Sequence, residues 1–239
     1  MSIPFFYCKE TASIRQTIQL DEPTSKHVIQ VLRMEVNEPI LLTNGKGLRM
    51  HSVIIDAHRK RCTVQVNHVE EIAQQTPERI IAMAILKNSS RFEWFLEKAT
   101  ELGINQIIPL ITERTEKTAF KEERLQQIVI SAMLQSQQAW LPILHAPQSF
   151  KQLIEHKWEG KKYIAHCLPD AEKQPLKSLS ASNALDPQIV LIGPEGDFSE
   201  AEINLAKENN YSAVSLGETR LRTETAGLLG AVFLSNFRN

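Results

Sequence analysis

The hydrophobic pattern of the chain changes near residue 75, and this change limits the possible folds more than any other feature. Before it, short apolar runs and alternation with period 2, as in residues 39–43 and 62–66, are typical of β-strands. After it, apolar runs such as residues 79–86 alternate with segments of helical periodicity. The first pattern predicts a small β-barrel, and the second predicts a parallel sheet with helices on both faces.

In the first region, Asn44-Gly45-Lys46-Gly47 separates two predicted strands. Its composition is similar to that of a phosphate-binding loop, but its position between strands favours a plain hairpin turn. One short helix is expected at Ser25–Arg33, with Thr24 or Ser25 as its cap. The strands are expected at residues 14–20, 39–43, 48–55 and 62–66.

In the second region, predicted strands and helices alternate after a polar linker at residues 74–78. We therefore predict two domains, residues 1–72 and residues 73–239. Capping boxes are predicted at Ser90–Glu93 and Ser199–Glu202. Strands are expected at 79–86, 104–111, 162–168, 188–192 and 212–216, and helices at about 90–102, 122–140, 150–156, 199–209 and from Thr223.

Composition excludes several classes of protein. The chain has 239 residues, with 27 Lys+Arg, 28 Asp+Glu and a net charge of -1, which argues against a nucleic-acid binder that relies on charge alone. It has no apolar run of the ~20 residues that cross a bilayer and no signal-peptide pattern, so we expect a cytoplasmic protein without a membrane partner. The 3 Cys are far apart and the 7 His are scattered, so no disulfide framework or metal site is predicted.

Motifs of several common enzymes are missing from the sequence. It contains no GxxxxGK[ST], no GxGxxG after a strand, no GxSxG and no HExxH. P-loop nucleotide hydrolysis, Rossmann dinucleotide binding, α/β-hydrolase chemistry and zincin chemistry are therefore disfavoured.

Two segments have more unusual residues than a simple connection requires. Residues 189–199 run from an apolar strand through Gly-Pro-Glu-Gly into a helix start, and residues 215–226 run from a strand through two Arg into another. Each segment alone is compatible with a strand-to-helix turn and a cap. Because both follow the carboxyl ends of strands, where open α/β sheets bind ligands, together they favour a binding site.

These two segments, GPEGxFSxxE and LGxxxLRTETA, resemble the signature of the RsmE family, the 16S rRNA (uracil-N3) methyltransferases of the SPOUT superfamily. Three shorter elements are similar to the family as well. They are HxxxVLR at residues 27–33, KxTELG at 98–103 and QS…P at 135–142.

The resemblance implies a PUA-like β-barrel at residues 1–72 that binds RNA, and a SPOUT α/β domain at 73–239 with a deep trefoil knot. It implies S-adenosylmethionine as cofactor, 16S rRNA or the 30S subunit as substrate, and a homodimer formed through the knot domain. Residues 165–168 are expected to form a third wall of the cofactor site. The cofactor-binding residues it implies are Leu191, Gly193, Gly196, Leu216, Gly217, Leu221, Arg222 and Thr223.

For catalysis, we expect Arg222 to stabilise the developing uracil anion and Glu224 or Glu195 to receive the N3 proton or orient a water. An alternative role for Glu224 is to cap the terminal helix and pair with Arg222. Cationic side chains at the barrel and the domain junction are the candidates for RNA binding. They are Arg33, Lys46, Arg49, Lys87 and Arg91.

The chain departs from the family pattern at two positions. Asp197 stands where the family usually has the second glycine of GPEGGF, and Gln138 stands where an Arg is common. Two other functions stay open at this point. One is a different SPOUT activity, on a 2′-hydroxyl or on tRNA, and the other is an RNA-binding assembly factor without catalysis.

Overall fold

The computed structural model describes residues 3–169 and 173–235, which form two compact units. The first unit contains the described residues up to Gln74 together with Met133–Leu141. The second contains Gln75–Ala132 and the described residues from Pro142 onward.

The first unit is built on a five-stranded mixed sheet. Its strands are β1 Phe5–Tyr7, β2 Thr17–Gln19, β3 Pro39–Thr43, β4 Leu48–Asp56 and β5 Thr63–Glu71. They lie in the order β1-β3-β4-β5-β2, in which β1 pairs with β3 in parallel and the other neighbours are antiparallel. The curled sheet surrounds a core to which Met50, Ile54, Val64 and Val66 contribute.

The predicted hairpin turn joins β3 to β4. Gly45 and Gly47 have φ angles of 68° and 87°, in the left-handed region that glycine adopts most readily. The side chain of Asn44 accepts hydrogen bonds from the backbone N–H groups of Lys46 and Leu48, at 2.8 Å and 3.1 Å. The turn is therefore held by its own residues, and no phosphate ligand is needed to explain its composition.

The helix of the first unit begins earlier than the sequence predicted. α1, Glu22–Lys26, is capped by Asp21, whose side chain accepts a 2.8 Å hydrogen bond from Thr24 N. A π-helical turn, His27–Val31, continues directly from it. The prediction of Thr24 or Ser25 as the cap was wrong because Asp21 offers a carboxylate and proline follows in the first turn.

The segment Met133–Leu141 completes the first unit, which the sequence did not predict. The indole N–H of Trp140 donates to Ile72 O at 2.8 Å, and Gly47 N donates to Ala139 O at 2.9 Å. A Cβ at Gly47 would lie 2.5 Å from the Trp140 ring, so glycine is required there for packing as well as for its φ angle.

The second unit is built on an eight-stranded sheet whose neighbouring strands are all parallel, as predicted. The strands are β6 Arg79–Ala84, β7 Gln106–Ile111, β8 Ile143–Leu144, β9 Gln148–Ser149, β10 Lys161–Ala165, β11 Gln174–Pro175, β12 Gln188–Ile192 and β13 Ser212–Ser215. Their order in the sheet is β11-β13-β10-β12-β6-β7-β8, with β9 beside β7. The helices are α2 Ser89–Glu101, α3 Glu122–Gln135, α4 Phe150–Glu155, α5 Leu176–Ser182, α6 Glu200–Glu208 and α7 Thr223–Ser235.

Apolar side chains cover both faces of this sheet. Ile189 and Leu191 of β12 lie in the core that also contains residues of α4 and α6. On the other face α7 packs on β6, β12 and α2. Because successive side chains of a strand point to opposite faces, one continuous apolar run serves both layers.

Most helix ends follow the predicted signals. The capping box Ser199–Glu202 starts α6, and Gly103, with a φ of 74°, follows α2. The cap of α2 is Asn88, which accepts a hydrogen bond from Ser90 N, so the predicted Ser90–Glu93 box was wrong. α3 ends at Gln135 and not near residue 140.

Arg79 holds several segments of the second unit together from a buried position. The residue is 6% exposed, and its side chain donates to the backbone oxygens of Leu234, Asp186, Ala184 and Glu78. A buried cation is costly without acceptors, and here carbonyl groups supply them. Within the described ranges, no helix is long and apolar enough to span a bilayer.

The two buried glycines of α7 allow a matched test of this packing. We expect Gly227→Ala to lower the free energy of unfolding by about 1–3 kcal/mol, because overpacking a core typically costs this much. The added methyl carbon would lie 2.5 Å from Met83 Sδ and 2.8 Å from the Phe95 ring. Unfolding in urea measures the change.

Gly230→Ala is the control in the same helix. Its Cβ would make an ordinary 3.4 Å contact with Val190, so we expect unchanged or slightly increased stability, as helix propensity predicts. Equal stability of the two variants would contradict the packing argument.

Candidate active site

The site lies beside three neighbouring strands whose carboxyl ends fall within one residue of each other. β10 lies between β12 and β13, and Ala165 of β10 is paired with both Ile192 and Val214. The three connections that follow these strands therefore leave the same edge of the sheet. This is the edge at which open α/β sheets bind ligands.

The three connections enclose a cavity of about 730 Å³, within the ~300–1,000 Å³ typical of small-molecule sites. Residues from all three connections line it, with three from the first turn of α7 and one from α2. The lining residues are Arg91, Ala165, His166, Cys167, Lys173, Ile192, Gly193, Pro194, Glu195, Gly196, Asp197, Val214, Ser215, Leu216, Gly217, Glu218, Thr219, Arg220, Leu221, Arg222, Thr223, Glu224 and Ala226.

The connection from β12 to α6 is anchored in the core. Phe198 is fully buried and its ring lies 5.5 Å from that of Phe150, centroid to centroid. A Cβ at Gly193 would lie 3.1 Å from Phe198, so glycine allows the chain to turn closely over this ring. On the outer side, Arg114 donates a 2.6 Å hydrogen bond to Gly196 O.

Asp197 connects this segment to the one after β10. Its φ of 64° lies in the left-handed region, which aspartate tolerates better than most residues. Its carboxylate accepts hydrogen bonds from Phe198 N at 2.8 Å and from Cys167 N at 2.7 Å. The carboxylate of Asp197 thus forms a hydrogen bond between two walls of the cavity.

The connection after β10 is also held from the other side. Lys173 Nζ donates to His166 O at 2.8 Å and to Leu168 O at 2.7 Å. His166 is buried, whereas Cys167 is exposed. The predicted third wall therefore lies in the cavity through residues 165–167, and Leu168 packs against the core.

The connection after β13 contains the most open part of the wall. Gly217 has a φ of 150°, and no atom lies within 4 Å of where its Cβ would be. Arg222 is exposed and its backbone oxygen accepts the N–H of Ala226 in the first turn of α7. Within the described part of the chain, the Arg222 guanidinium forms no ion pair.

Glu224, in the first turn of α7, carries the most buried carboxylate of the cavity wall. Its residue is 9% exposed, and Oε1 lies 3.5 Å from Nε of Arg91 on α2. Among the atoms that the structure describes, Glu224 Oε2 is buried without a hydrogen-bond partner. One oxygen is thus held in place while the other can still accept a hydrogen bond.

The structure places seven of the eight predicted cofactor-binding residues in the cavity wall, and the exception is Leu191. The side chain of Leu191 is buried in the core beside α4 and α6. Successive side chains of β12 point to opposite faces of the sheet. Leu191 therefore points into this core, whereas Ile192 points to the other face and lines the cavity. The three predicted catalytic residues, Arg222, Glu224 and Glu195, all line the cavity.

The predicted RNA-binding residues have different surroundings. Arg33 and Lys46 are exposed in the first unit. Arg49 is partly buried and donates a 2.6 Å hydrogen bond to Gln137 O, with Glu70 3.8 Å from it. Its guanidinium is therefore already engaged within the unit.

In the second unit, Lys87 forms a 2.7 Å ion pair with Glu116, and this hydrogen bond raises the pKa of Lys87. Arg91 lies in the cavity, beside Glu224. The sequence predicted an RNA-binding role for Arg91 and did not indicate its position in the cavity. The lining residue Lys173 was missed as well, because it belongs to no recognisable motif.

The comparisons with known proteins agree with this architecture. Residues 74–235 match the RNA methyltransferase domain family, and residues 20–67 match the RNA methyltransferase PUA domain family. Ribosomal RNA small subunit methyltransferase E of Synechocystis sp. is 33% identical over 218 residues, which cover 89% of this chain and 71% of that protein. The chain belongs to the ribosomal RNA small subunit methyltransferase E family.

Solved structures of similar proteins support this assignment to the methyltransferase E family. The probable rRNA-methyltransferase of Porphyromonas gingivalis is 34% identical and has a TM-score of 0.86, with 98% of each chain covered. Ribosomal RNA small subunit methyltransferase E of Neisseria gonorrhoeae, solved bound to S-adenosyl methionine, is 29% identical with the same TM-score and coverage. The resemblance found in the sequence is thereby confirmed at the level of the family, the PUA domain and the α/β methyltransferase fold.

Thiol chemistry tests the geometry of this family member's cavity wall. We expect iodoacetamide to modify Cys167 rapidly near neutral pH, and Cys62 more slowly by on the order of a hundredfold or more. Cys62 is fully buried, and burial raises the pKa of its thiol to about 11, so little reactive thiolate forms. Mass spectrometry of peptides measures both rates, and modification of both thiols at one rate in the folded protein would contradict the described wall.

Proposed function

We propose that this protein uses S-adenosylmethionine to methylate N3 of a specific uridine in the 16S rRNA of the small ribosomal subunit. The cavity carries the proposal, because it combines three loops at the ligand-binding edge of a parallel sheet with Arg222 and Glu224 on one wall. Membership of the methyltransferase E family supports the reaction type and the rRNA substrate. The choice of uracil N3 depends on the resemblance of the GPEGxFSxxE and LGxxxLRTETA segments.

The cavity wall fits the proposed cofactor. Gly217 leaves open space where any other residue would place a side chain, so a ligand can approach the backbone closely. Glu195, Glu218 and Glu224 bring carboxylates to the lining, which suits a cationic sulfonium and an ammonium group. We propose that Gly193, Gly196, residues 216–221 and Thr223 hold the cofactor.

S-adenosylmethionine, when bound, supplies an electrophilic methyl group. The uracil N3 carries a proton and becomes a competent nucleophile only when that proton leaves. We assign its removal to Glu224, directly or through a water, since Glu224 Oε2 has an acceptor position available in the wall. Arg91 keeps this carboxylate in place through the 3.5 Å contact with Oε1.

Arg222 has the second role. Removal of the N3 proton leaves negative charge on the uracil oxygens O2 and O4, and an exposed guanidinium on the same wall can stabilise it. Glu195 also lines the cavity, but it is exposed and belongs to the loop after β12. We therefore prefer Glu224 to Glu195 as the base.

The target base must be presented unpaired, because Watson–Crick pairing occupies the N3 edge. We propose that residues 1–72 help to hold the RNA, supported by the PUA domain match at residues 20–67. Arg33 and Lys46 are the better candidates for phosphate contacts, since both are exposed, whereas Arg49 and Lys87 already have acceptors within the protein. Phosphate contacts would position the strand without selecting the base.

Four further properties are part of the proposal and follow from the resemblance. They are a methyltransferase domain at residues 73–239, a deep trefoil knot within it, a homodimer formed through the knot, and action in the cytoplasm on 16S rRNA or on the 30S subunit. The family match at residues 74–235 supports the first of them.

A methyl-transfer assay tests the proposed function. We expect the purified protein to transfer labelled methyl groups from S-adenosylmethionine to N3 of one uridine, located by nuclease mapping, in small-subunit particles or naked 16S rRNA. Methylation of a 2′-hydroxyl or of tRNA would indicate a different SPOUT activity. Failure to bind S-adenosylmethionine in calorimetry would indicate an RNA-binding factor without catalysis.

The same assay tests Glu224 as the general base that removes the N3 proton. Glu224→Gln should lower the rate by about 10²–10⁴-fold, the usual contribution of a general base. Glu200→Gln is the matched control, because Glu200 also lies in the first turn of a helix but does not line the cavity. It should leave the rate unchanged, and an equal loss in both variants would remove the assignment of Glu224.

Replacing Arg222 tests charge stabilisation. We expect Arg222→Ala to lower kcat by roughly 10²–10³-fold, as loss of one stabilising donor does in other enzymes. The affinity for S-adenosylmethionine should change far less, because Arg222 is expected to act on the uracil. Calorimetry and single-turnover kinetics separate the two effects, and equal losses in both would count against this role.

A further inference from the structure

We propose that Asp197 is a positioning residue that ties two walls of the cofactor site together and keeps that site formed before the cofactor arrives. This inference deepens the proposed function and depends on it for the identity of the ligand. It concerns a position at which the resemblance noted in the sequence implies glycine.

The geometry gives Asp197 a role that glycine cannot have. One carboxylate oxygen accepts the N–H of Phe198 at 2.8 Å, within its own loop. The other accepts the N–H of Cys167 at 2.7 Å, in the connection that follows β10. A single side chain therefore fixes the distance between two segments that are 30 residues apart.

Each segment that Asp197 connects has a second attachment. Phe198 is buried in the core, and Arg114 holds the backbone of Gly196 from the outer side. Lys173 holds the backbone of His166 and Leu168. Within the described residues, Asp197 supplies the side-chain hydrogen bond that joins the loop after β12 to the loop after β10.

Preformation of the site has a consequence for affinity. A loop that must become ordered when a ligand binds reduces the observed affinity by the cost of that ordering. Hydrogen bonds to a charged acceptor are stronger than neutral ones, so the carboxylate can hold the two loops at the correct spacing in the free protein. Because both oxygens of the Asp197 carboxylate accept backbone N–H groups and so act on loop position, its loss should affect cofactor binding more than the chemical step.

Two substitutions separate the carboxylate from the backbone conformation. Asp197→Gly accepts the φ of 64° without strain but removes both hydrogen bonds. Asp197→Asn also tolerates this φ, but its amide has one acceptor oxygen and presents an N–H₂ group to the second N–H donor. We expect both variants to raise the Kd for S-adenosylmethionine about tenfold, the effect of losing a hydrogen bond to a charged group. The kcat at saturating cofactor should fall much less.

Asn210→Gly is the matched control. Asn210 has a φ of 63°, is exposed and does not line the cavity, so this variant introduces glycine at a left-handed position elsewhere in the same unit. It should bind S-adenosylmethionine as the unmodified chain does. An unchanged Kd in Asp197→Gly, or in Asp197→Asn, would overturn the proposal.

A measurement without cofactor distinguishes this inference from the proposed function. In the free protein the Cys167 amide should exchange slowly with solvent, and in Asp197→Gly it should exchange about tenfold or more faster, because its acceptor is gone. Amide exchange followed by NMR gives this rate. An unchanged exchange rate of the Cys167 amide in Asp197→Gly would contradict the role of Asp197. Absence of S-adenosylmethionine binding by the unmodified chain would contradict only the proposed function.

Discussion

The parallel pairing of β10 with both β12 and β13 is the constraint on which the site depends. Through this pairing, Ala165 and Ile192 end their strands beside Val214, one residue before the end of β13. The backbone hydrogen bonds of the sheet thus define where each of the three loops begins. Side chains then refine the spacing, since Lys173, Arg114 and Asp197 each hold a loop through backbone groups. The chemistry attributed to the cavity therefore depends on a rigid edge carrying short, tethered connections.

Local signals predicted part of this fold well. β12 occupies residues 188–192 as expected, because its apolar run stops at a glycine and a capping box follows at Ser199. α2 was less well predicted at its start, since Asn88 and Ser90 are both good caps and only the direction of the incoming chain decides between them. The end of α3 was also misplaced, because Trp140 packs on Gly47, a contact that no local pattern encodes.

The candidate site shows the same division between local and distant information. Its two glycine-containing loops were predicted because turns, caps and strand ends leave traces in neighbouring residues. The contact between Arg91 and Glu224 joins two helices that are far apart in the sequence. No residue pattern near either position indicates this contact. Leu191 was assigned to the cavity although strand alternation directs it to the core. A family motif identifies a segment as functional, but which side chain faces the ligand depends on the pleat of the strand.

Arg79 gives the second unit a particular dependence on the order of synthesis. Its Nε donates to Leu234 O, 155 residues later in the sequence, and its other partners include Asp186 and Ala184. In a nascent chain that does not yet include Leu234, the Arg79 guanidinium lacks one of its hydrogen-bond acceptors. The strand that carries Arg79 runs through the centre of the sheet, between β12 and β7. The buried partners of this central strand are therefore complete only after the chain has been synthesised as far as Leu234.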